Sequence, residues 1–274
     1  MKKLILKIAA FVVALALIVG VGLFANALIG NPISKLIART TAEKYLSETY
    51  PDMTLELSDA EYSFKETCYH VHVTQPDQLD GEFTLAFDML GRLLYDDYED
   101  RVPGGWNTAY RIEADYRKAV ETVLNSSTFP SDYSIGYGEM EFVSRRYKDE
   151  GLVPSYALVT EDLTLGGAYN LGKLGAQAGK VTVYLYDDTV TAERLAELLL
   201  LIRESFDNAG VTFYVMDCVL ESPDEALVGD RVEVMDFLYS DIHEENLTER
   251  VEAADRAAKA YYAAQDEEKL QEAE

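Results

Sequence analysis

The feature that most constrains this chain is an apolar run near its amino terminus. Lysines at positions 2, 3 and 7 lead into a stretch from Ile8 to Gly30 that carries no charged residue. A helix rises 1.5 Å per residue, so about 20 apolar residues are enough to cross the ~30 Å hydrocarbon core of a bilayer. Lysines ahead of such a segment favour a cytoplasmic amino terminus. The pattern therefore predicts that residues 1–31 are a cytoplasmic stub and a single transmembrane anchor, with the remaining chain outside the cytoplasm.

A cleaved signal peptide is the alternative interpretation of the same segment. Ala25-Asn26-Ala27 has the small-x-small spacing that signal peptidases accept, which makes cleavage after Ala27 an open question. The apolar run is longer than the ~7–15 residues usual for a secretory signal, which favours a retained anchor. Asn31-Pro32 then has the chemistry of a helix N-cap and first helical position.

The charge balance restricts the kind of partner that the external part can bind. From Tyr45 onward the chain has 18 basic and 48 acidic residues. Such a field opposes the approach of phosphate groups, so we exclude nucleic acid as a partner. With 48% hydrophobic residues and no low-complexity block, the external part is expected to fold.

Residues 32–101 have the pattern of a first small domain. A helix is predicted over Pro32–Thr49, since proline at position 51 disfavours helical geometry at Tyr50. Short strands separated by turn residues follow, predicted at Thr54–Leu57, Glu61–Lys65, Cys68–Thr74, Glu82–Phe87 and Leu93–Tyr98. Residues 102–106, which contain a Pro-Gly-Gly sequence, are the best linker in the chain.

Residues 107–274 are predicted to form a second, larger domain. Helices are expected over Asn107–Leu124, after Thr191, and from Asp241 or Asn246 almost to the acidic carboxyl end. Strands are expected near Ser134–Val143, Tyr156–Thr160, Val181–Tyr186, Thr212–Val219 and Arg231–Leu238. The fold class is therefore α+β, with two small domains that each pack an antiparallel sheet against helices.

One strand carries the best candidate metal ligands. Cys68, His70 and His72 alternate with apolar residues and so share one strand face, and these residue types bind zinc or copper. Three successive same-face positions span about 13 Å, too far for one ion without a bulge, so a solvent-facing strand is the simpler interpretation. Whether Cys68 forms a disulfide with Cys218 stays open, because spacing does not reveal the distance between their Cα atoms.

Other motifs point to no cofactor and no catalytic residue. Gly167–Lys173 matches seven positions of a phosphate-binding loop, but Leu174 stands where Ser or Thr must hold magnesium. A flexible glycine-rich connection is the expectation there. Acidic clusters at 96–100, 187–188 and 244–245 lack the spacing of a calcium-binding loop.

The chain also resembles a known family. The segment Lys44–Asp52, with Tyr62-Ser63-Phe64-Lys65 and Leu94–Glu99 downstream, resembles the YfjL-like proteins of Gram-positive bacteria, mainly over residues 1–100. The resemblance implies a membrane-anchored protein with an extracytoplasmic N-terminal α+β domain and a C-terminal one, and it supplies no catalytic residues. The layout of the first domain is also similar to cystatin-like and PepSY-like modules.

These observations predict a single-pass cell-envelope protein that acts by binding an envelope protein or peptide rather than by catalysis. Exposed tyrosines on sheet faces or edges are the expected contact surface, since the chain has 19 tyrosines and one tryptophan. The alternatives are an envelope enzyme modulator, such as a PepSY-like peptidase inhibitor, and weak cation binding by the acidic domain.

Overall fold

The computed structural model describes the backbone of residues 2–151, 153–223 and 231–272. Side chains are not described at 2–6, 8, 9, 19, 23, 25–27, 267, 268 and 270–272. The chain forms two compact units, Met1–Asn107 (unit 1) and Thr108–Glu274 (unit 2). This division lies next to the predicted linker at 102–106.

The described part of unit 1 has two long helices, followed by five short strands and a short helix. In chain order its elements are α1 (Lys2–Ile29), α2 (Pro32–Thr49), β1 (Glu56–Leu57), β2 (Glu61–Ser63), β3 (Cys68–Thr74), β4 (Glu82–Phe87), β5 (Leu93–Asp96) and α3 (Tyr98–Arg101). The strands pair antiparallel in the order β1-β3-β4-β5, and β2 pairs with the start of β3. This order confirms an antiparallel sheet packed against a helix.

The amino-terminal apolar segment is helical throughout α1. Over the residues that the structure describes, no helix is both long enough and apolar enough to cross a membrane. The predicted anchor over 8–30 includes positions 8, 9, 19, 23 and 25–27, whose side chains lie outside the described residues, and the candidate cleavage site at Ala27 is among them.

Helix α2 begins at a cap that the sequence encodes. The Asn31 side chain accepts a hydrogen bond from the Ser34 backbone N–H at 2.7 Å, and Pro32 occupies the first helical turn. The buried face repeats every four residues and consists mainly of small side chains, namely Ser34, Ala38, Ala42 and Leu46. Small side chains on that face let α2 lie close to the sheet, where it packs on β3.

The described part of unit 2 has longer elements around a larger core. They are α4 (Trp106–Leu124), whose first two residues belong to unit 1, then β6 (Tyr133–Met140), β7 (Phe142–Val143), α5 (Arg145–Asp149), β8 (Leu158–Val159), α6 (Leu171–Ala178), β9 (Gly179–Tyr186), α7 (Ala192–Ala209), β10 (Val215–Glu221), β11 (Arg231–Leu238) and α8 (Leu247–Glu272). The main sheet has the strand order β11-β10-β9-β6.

The main sheet of unit 2 is mixed, which corrects the expectation of a purely antiparallel sheet. Strands β9 and β10 pair in parallel, while β6–β9 and β10–β11 are antiparallel. The small β7–β8 pair is also parallel. A parallel pair requires a crossover between its strands, and α7 supplies it between β9 and β10.

Helix α7 provides much of the core of unit 2. Its N-cap Thr191 accepts a hydrogen bond from the Arg194 N–H at 3.2 Å, and Gly210 ends it in the left-handed conformation. The buried side chains of α7 are Leu195, Ala196, Leu198, Leu199, Ile202 and Phe206. They pack against apolar residues of β9, β10 and β11 in one continuous cluster.

Helix α8 covers one edge of the same sheet. Strand β11 is the edge strand, and α8 packs along it. The Asp255 side chain on α8 accepts a hydrogen bond from the Glu233 backbone N–H of β11 at 3.1 Å. An edge-strand donor satisfied in this way is closed to pairing with another chain.

The glycine-rich segment after position 166 is not the flexible connection that the sequence led us to expect. Residues Leu171–Ala178 form α6, capped by Asn170, which accepts from the Lys173 N–H at 2.9 Å. A side chain at Gly172 would meet the Gly210 carbonyl at 2.7 Å, and one at Gly175 would collide with the Thr212 carbonyl. These glycines therefore allow α6 to pack closely against neighbouring backbone. From the sequence motif alone, the same glycines had indicated a flexible segment.

Candidate functional site

The hairpin between β2 and β3 builds the best candidate site in the described residues. Its turn covers residues 64–67, and Thr67 takes the left-handed conformation with φ of 56°. Glu66 sits in this turn two residues before Cys68, so its carboxylate reaches the side of the sheet that carries Cys68 and His70. The turn thus adds an acidic group to a strand face that already holds a thiol and an imidazole.

Three polar atoms converge on one ring nitrogen of His70. Its Nε2 atom lies 2.7 Å from Glu66 Oε2, 3.2 Å from Cys68 Sγ and 3.1 Å from the Tyr95 hydroxyl oxygen. The thiol also lies 3.6 Å from the Glu66 carboxylate. The ligand atoms of Glu66, Cys68 and His70 all lie within 4.8 Å of one another.

Tyr95 reaches the cluster across an intervening strand. His70 pairs with Ala86, and Ala86 pairs with Tyr95, so the tyrosine starts two strands away. Two strand spacings amount to about 9.6 Å, a gap that a tyrosine side chain helps to close only if the middle residue is small. The alanine between them meets that condition.

Burial sets the protonation of the thiol. Cys68 is only 2% exposed. Burial, reinforced by the hydrogen bond to the Glu66 carboxylate, raises the pKa of the Cys68 thiol to about 11. Without a cation, this shift favours the protonated thiol at neutral pH.

The structure brings together two of the three predicted ligands and separates the third. Cys68 and His70 are adjacent, whereas the Nδ1 atom of His72 lies 3.2 Å from the Thr84 hydroxyl and the His70 and His72 ring centroids are 6.4 Å apart. The third member of the group is instead Glu66. Its position two residues before Cys68, in the order Glu-x-Cys-x-His, was the available sequence signal.

The two cysteines are free thiols. Cys68 belongs to unit 1, and Cys218 is fully buried in the core cluster of unit 2. Desolvation raises the pKa of the Cys218 thiol far above its usual value. Cys218 therefore acts as a core side chain.

In unit 2, the charged side chains of Lys180, Asp217 and Asp236 meet at a β-bulge. Met216 pairs with Phe237 and Cys218 with Val234, so two residues of β11 face Asp217. Asp217 accepts the bulge N–H of Asp236 at 2.7 Å, and Lys180 Nζ lies 2.9 Å from Asp217 and 2.8 Å from Asp236. These hydrogen bonds stabilise the left-handed φ of 47° at Asp236 and give the group a structural role.

The acidic clusters likewise make local structure. Asp96 accepts hydrogen bonds from the Tyr45 and Tyr50 hydroxyls at 2.9 and 2.8 Å. Asp97 accepts from the Thr84 backbone N–H at 2.5 Å. These contacts fasten β5 and the segment after it to α2 and β4.

Asp187 gives a pH-dependent prediction. It accepts from the Thr189 N–H and from Arg194 Nε, both at 2.9 Å, and these bonds hold its pKa below the usual range. A depressed folded-state pKa contributes stability above the unfolded pKa of ~3.9 and loses it as pH falls further. We expect Asp187→Asn to cost about 1.5–3 kcal/mol at pH 7, with the difference from wild type vanishing in strong acid. Urea denaturation across pH measures this.

The matched control is Asp188→Asn, which removes the same charge at the exposed neighbouring position. It should leave the unfolding free energy within about 0.5 kcal/mol of wild type. Equal losses in the two variants would mean that net charge, not the Asp187 hydrogen bonds, sets the effect.

Comparison with known proteins covers most of the chain. Residues 2–97 match the YfjL-like N-terminal domain, and residues 115–252 match the YfjL-like C-terminal domain. No curated protein and no solved structure matches the chain. The first match lies within unit 1, and the second lies within unit 2 and begins inside α4. The chain therefore belongs to the YfjL-like family.

Proposed function

We propose that the chain is a single-pass cell-envelope protein, anchored by α1, whose two α+β units lie outside the cytoplasm and work by binding. The observation that carries the anchor is a set of large apolar side chains on α1 that are 50–69% exposed. They are Phe11, Val12, Val13, Leu15, Leu17, Ile18, Val21, Phe24, Leu28 and Ile29. Exposure of so many apolar groups on all sides of one helix is unfavourable in water and favourable in lipid.

Length and charge support the same proposal. A helix of 28 residues extends about 42 Å, more than the ~30 Å apolar thickness of a bilayer. It has no acidic residue, and its lysines at 2, 3 and 7 lie at one end. The positive-inside tendency then directs the acidic remainder away from the cytoplasm.

An apolar surface of unit 1 lies close to the end of α1. Large apolar side chains are exposed at the start of α2 and on the two nearby turns, namely Ile33, Leu36, Phe64, Met89 and Leu90. The Ser34 hydroxyl donates to the Met89 carbonyl at 2.8 Å, and the Asn31 N–H donates to the Tyr69 hydroxyl at 3.1 Å. These bonds hold the turn at Met89 and strand β3 against the beginning of α2, where an anchored chain would leave the bilayer.

Binding rather than catalysis is supported by the polar groups. Asp217, Asp96, Asp97 and Asp187 make structural hydrogen bonds, and burial raises the pKa of the Cys68 thiol. Exposed tyrosines can contact a protein or peptide partner, among them Tyr137, Tyr147 and Tyr261. Tyrosine presents a large amphipathic surface at low entropic cost, which suits such contacts.

Membrane fractionation of the full chain tests the anchor. We expect it in the carbonate-resistant membrane fraction, with a carboxyl-terminal tag accessible to protease in intact spheroplasts. The double variant Leu15→Arg/Ile18→Arg should move to the soluble fraction, since arginine at the centre of a span costs about 2.5–3.5 kcal/mol each. The control Leu15→Ala/Ile18→Ala should stay in the membrane.

Two results would overturn the anchor. One is recovery of the unaltered chain in the soluble fraction, and the other is a tag that protease reaches only after lysis. For the binding role, a photo-crosslinking residue at Tyr137 or Tyr147 should give a discrete adduct in cells. Failure of both positions to give an adduct under all growth conditions would contradict it.

A further inference from the structure

We propose that Glu66, Cys68 and His70 form a zinc-binding site in unit 1. The observations that carry it are the convergence of three different donor types and the buried position of the thiol. This inference is independent of the membrane anchor and of the binding role, since it concerns one hairpin within unit 1.

The arrangement around His70 brings more partners to one ring nitrogen than that nitrogen can bond. One ring nitrogen has a single direction along which it donates or accepts a hydrogen bond. Here three partners, from Glu66, Cys68 and Tyr95, lie between 2.7 and 3.2 Å from the same Nε2 atom. Only one of them can be satisfied by that nitrogen at a time, whereas a cation among the donor atoms would satisfy the thiolate, the imidazole and the carboxylate together.

The distances are close to those of a tetrahedral zinc site. Zinc binds nitrogen and oxygen at about 2.0–2.2 Å and sulfur at about 2.3 Å, so neighbouring donors in a tetrahedron are about 3.4–3.6 Å apart. The observed separations are 3.6 Å for sulfur to oxygen, 3.2 Å for sulfur to nitrogen and 2.7 Å for nitrogen to oxygen. Only the last must open appreciably, and the Glu66 side chain, 55% exposed, has room to move.

The set of donors favours zinc over other common cations. Calcium and magnesium require oxygen ligands, which a thiol and an imidazole do not provide. Thiolate, imidazole and carboxylate together are zinc ligands, and three protein ligands leave a fourth position for water. The Tyr95 hydroxyl, which lies near His70 Nε2, is placed to hydrogen-bond a water in that position. Binding releases the Cys68 proton, since the coordinating sulfur is a thiolate.

The position of the site in the fold gives it a mechanical consequence. Glu66 belongs to the hairpin turn, while Cys68 and His70 belong to β3. An ion bound by all three would fasten the turn, with its left-handed Thr67, to the strand. Because the ion binds the folded hairpin, zinc should also stabilise unit 1 against unfolding.

Cobalt substitution on the full-length protein in detergent tests the site directly. Cobalt(II) alone should bind at one equivalent and give a sulfur-to-cobalt charge-transfer band in the near ultraviolet, and zinc(II) should displace it. Cys68→Ser should abolish the band, and Glu66→Gln should weaken cobalt and zinc affinity at least about tenfold. Because Glu66 is a half-exposed turn residue, its variant is expected to fold and keeps the test decisive if Cys68→Ser does not.

Two matched controls assign the ligands. His72→Ala removes a histidine on the same strand face, and Cys218→Ser removes the thiol in the core of unit 2. Both should keep the band and the affinity of wild type. The proposal would be overturned if wild type bound neither cobalt nor zinc, or if it bound copper(I) and not zinc. It would also be overturned if Glu66→Gln and Cys68→Ser bound the metal as tightly as wild type, or if Cys218→Ser lost the band.

Discussion

Replacing Leu199 by alanine is expected to lower the unfolding free energy of unit 2 by about 2–5 kcal/mol. Leu199 lies on α7 and is 0% exposed within the core cluster. The substitution removes buried methyl groups and leaves a cavity that neighbouring side chains fill only in part, so the transfer and cavity costs add. Thermal unfolding should show the loss, since each kcal/mol shifts the midpoint by about 2–4 °C in a domain of this size.

The same helix offers a matched control two residues further on. Leu201→Ala makes the identical change at a side chain that is 44% exposed. It should change the unfolding free energy by less than about 1 kcal/mol, because little apolar area leaves the core. Hydrogen exchange over residues 192–209 assigns the effect to α7, and equal losses in the two variants would contradict this account of the core.

A second large loss is expected in unit 1. Phe87, on β4, is 0% exposed, and Phe87→Ala should lower the unfolding free energy of that unit by about 3–5 kcal/mol. Its backbone pairs with Tyr69 of β3, so the cavity would open inside the sheet core that α2 covers. Faster hydrogen exchange in β3 and β4, with unchanged exchange in α7, is the measurement that locates the loss.

Phe64→Ala is the control for this substitution. Phe64 is 60% exposed in the hairpin turn, so its removal should change the unfolding free energy by about 0.5 kcal/mol or less. A loss at Phe64 equal to that at Phe87 would show that the turn is buried in solution. The pair of variants thus also tests the exposure of the apolar surface near the end of α1.

The main helix and strands of unit 1 were predictable because the sequence patterns that mark them are local. Helix α2 and strands β3 and β4 have the predicted bounds Pro32–Thr49, Cys68–Thr74 and Glu82–Phe87. In β3 the buried Tyr69, Val71 and Val73 follow the alternation of apolar and polar residues, whereas Cys68, on the face expected to meet solvent, is buried as well. Proline at 51 and the side-chain cap at Asn31 mark the helix ends by local chemistry.

The errors came where the decisive contact is distant in the chain. Gly172 and Gly175 have the composition of a loop, yet they lie in helix α6. Glycine is needed there because the carbonyls of Gly210 and Thr212 leave no room for larger side chains. The parallel pairing of β9 and β10 follows from where α7 packs, and strand sequences of either direction look alike.

The candidate site was likewise predictable only where it depends on local sequence. The sequence alone placed Cys68 and His70 on one strand face, because side chains of a strand alternate with a period of two. It equally placed His72 there, and only the fold directs that ring to Thr84. The left-handed turn at Thr67 brings Glu66 to the site. Tyr95 reaches the site from β5, across Ala86 of the intervening strand β4.

The sequence by itself determined the α+β class, the apolar amino-terminal helix and the acidic charge balance, because each depends on composition or on short-range periodicity. The family was expected from the resemblance of a few motifs, and the domain matches confirmed it. The tertiary structure decided which of four consecutive leucines at 198–201 are buried, how β9 and β10 pair, and which donors meet at His70. The physical reason is that burial and coordination depend on atoms brought together from distant positions, and periodicity carries no information on those distances.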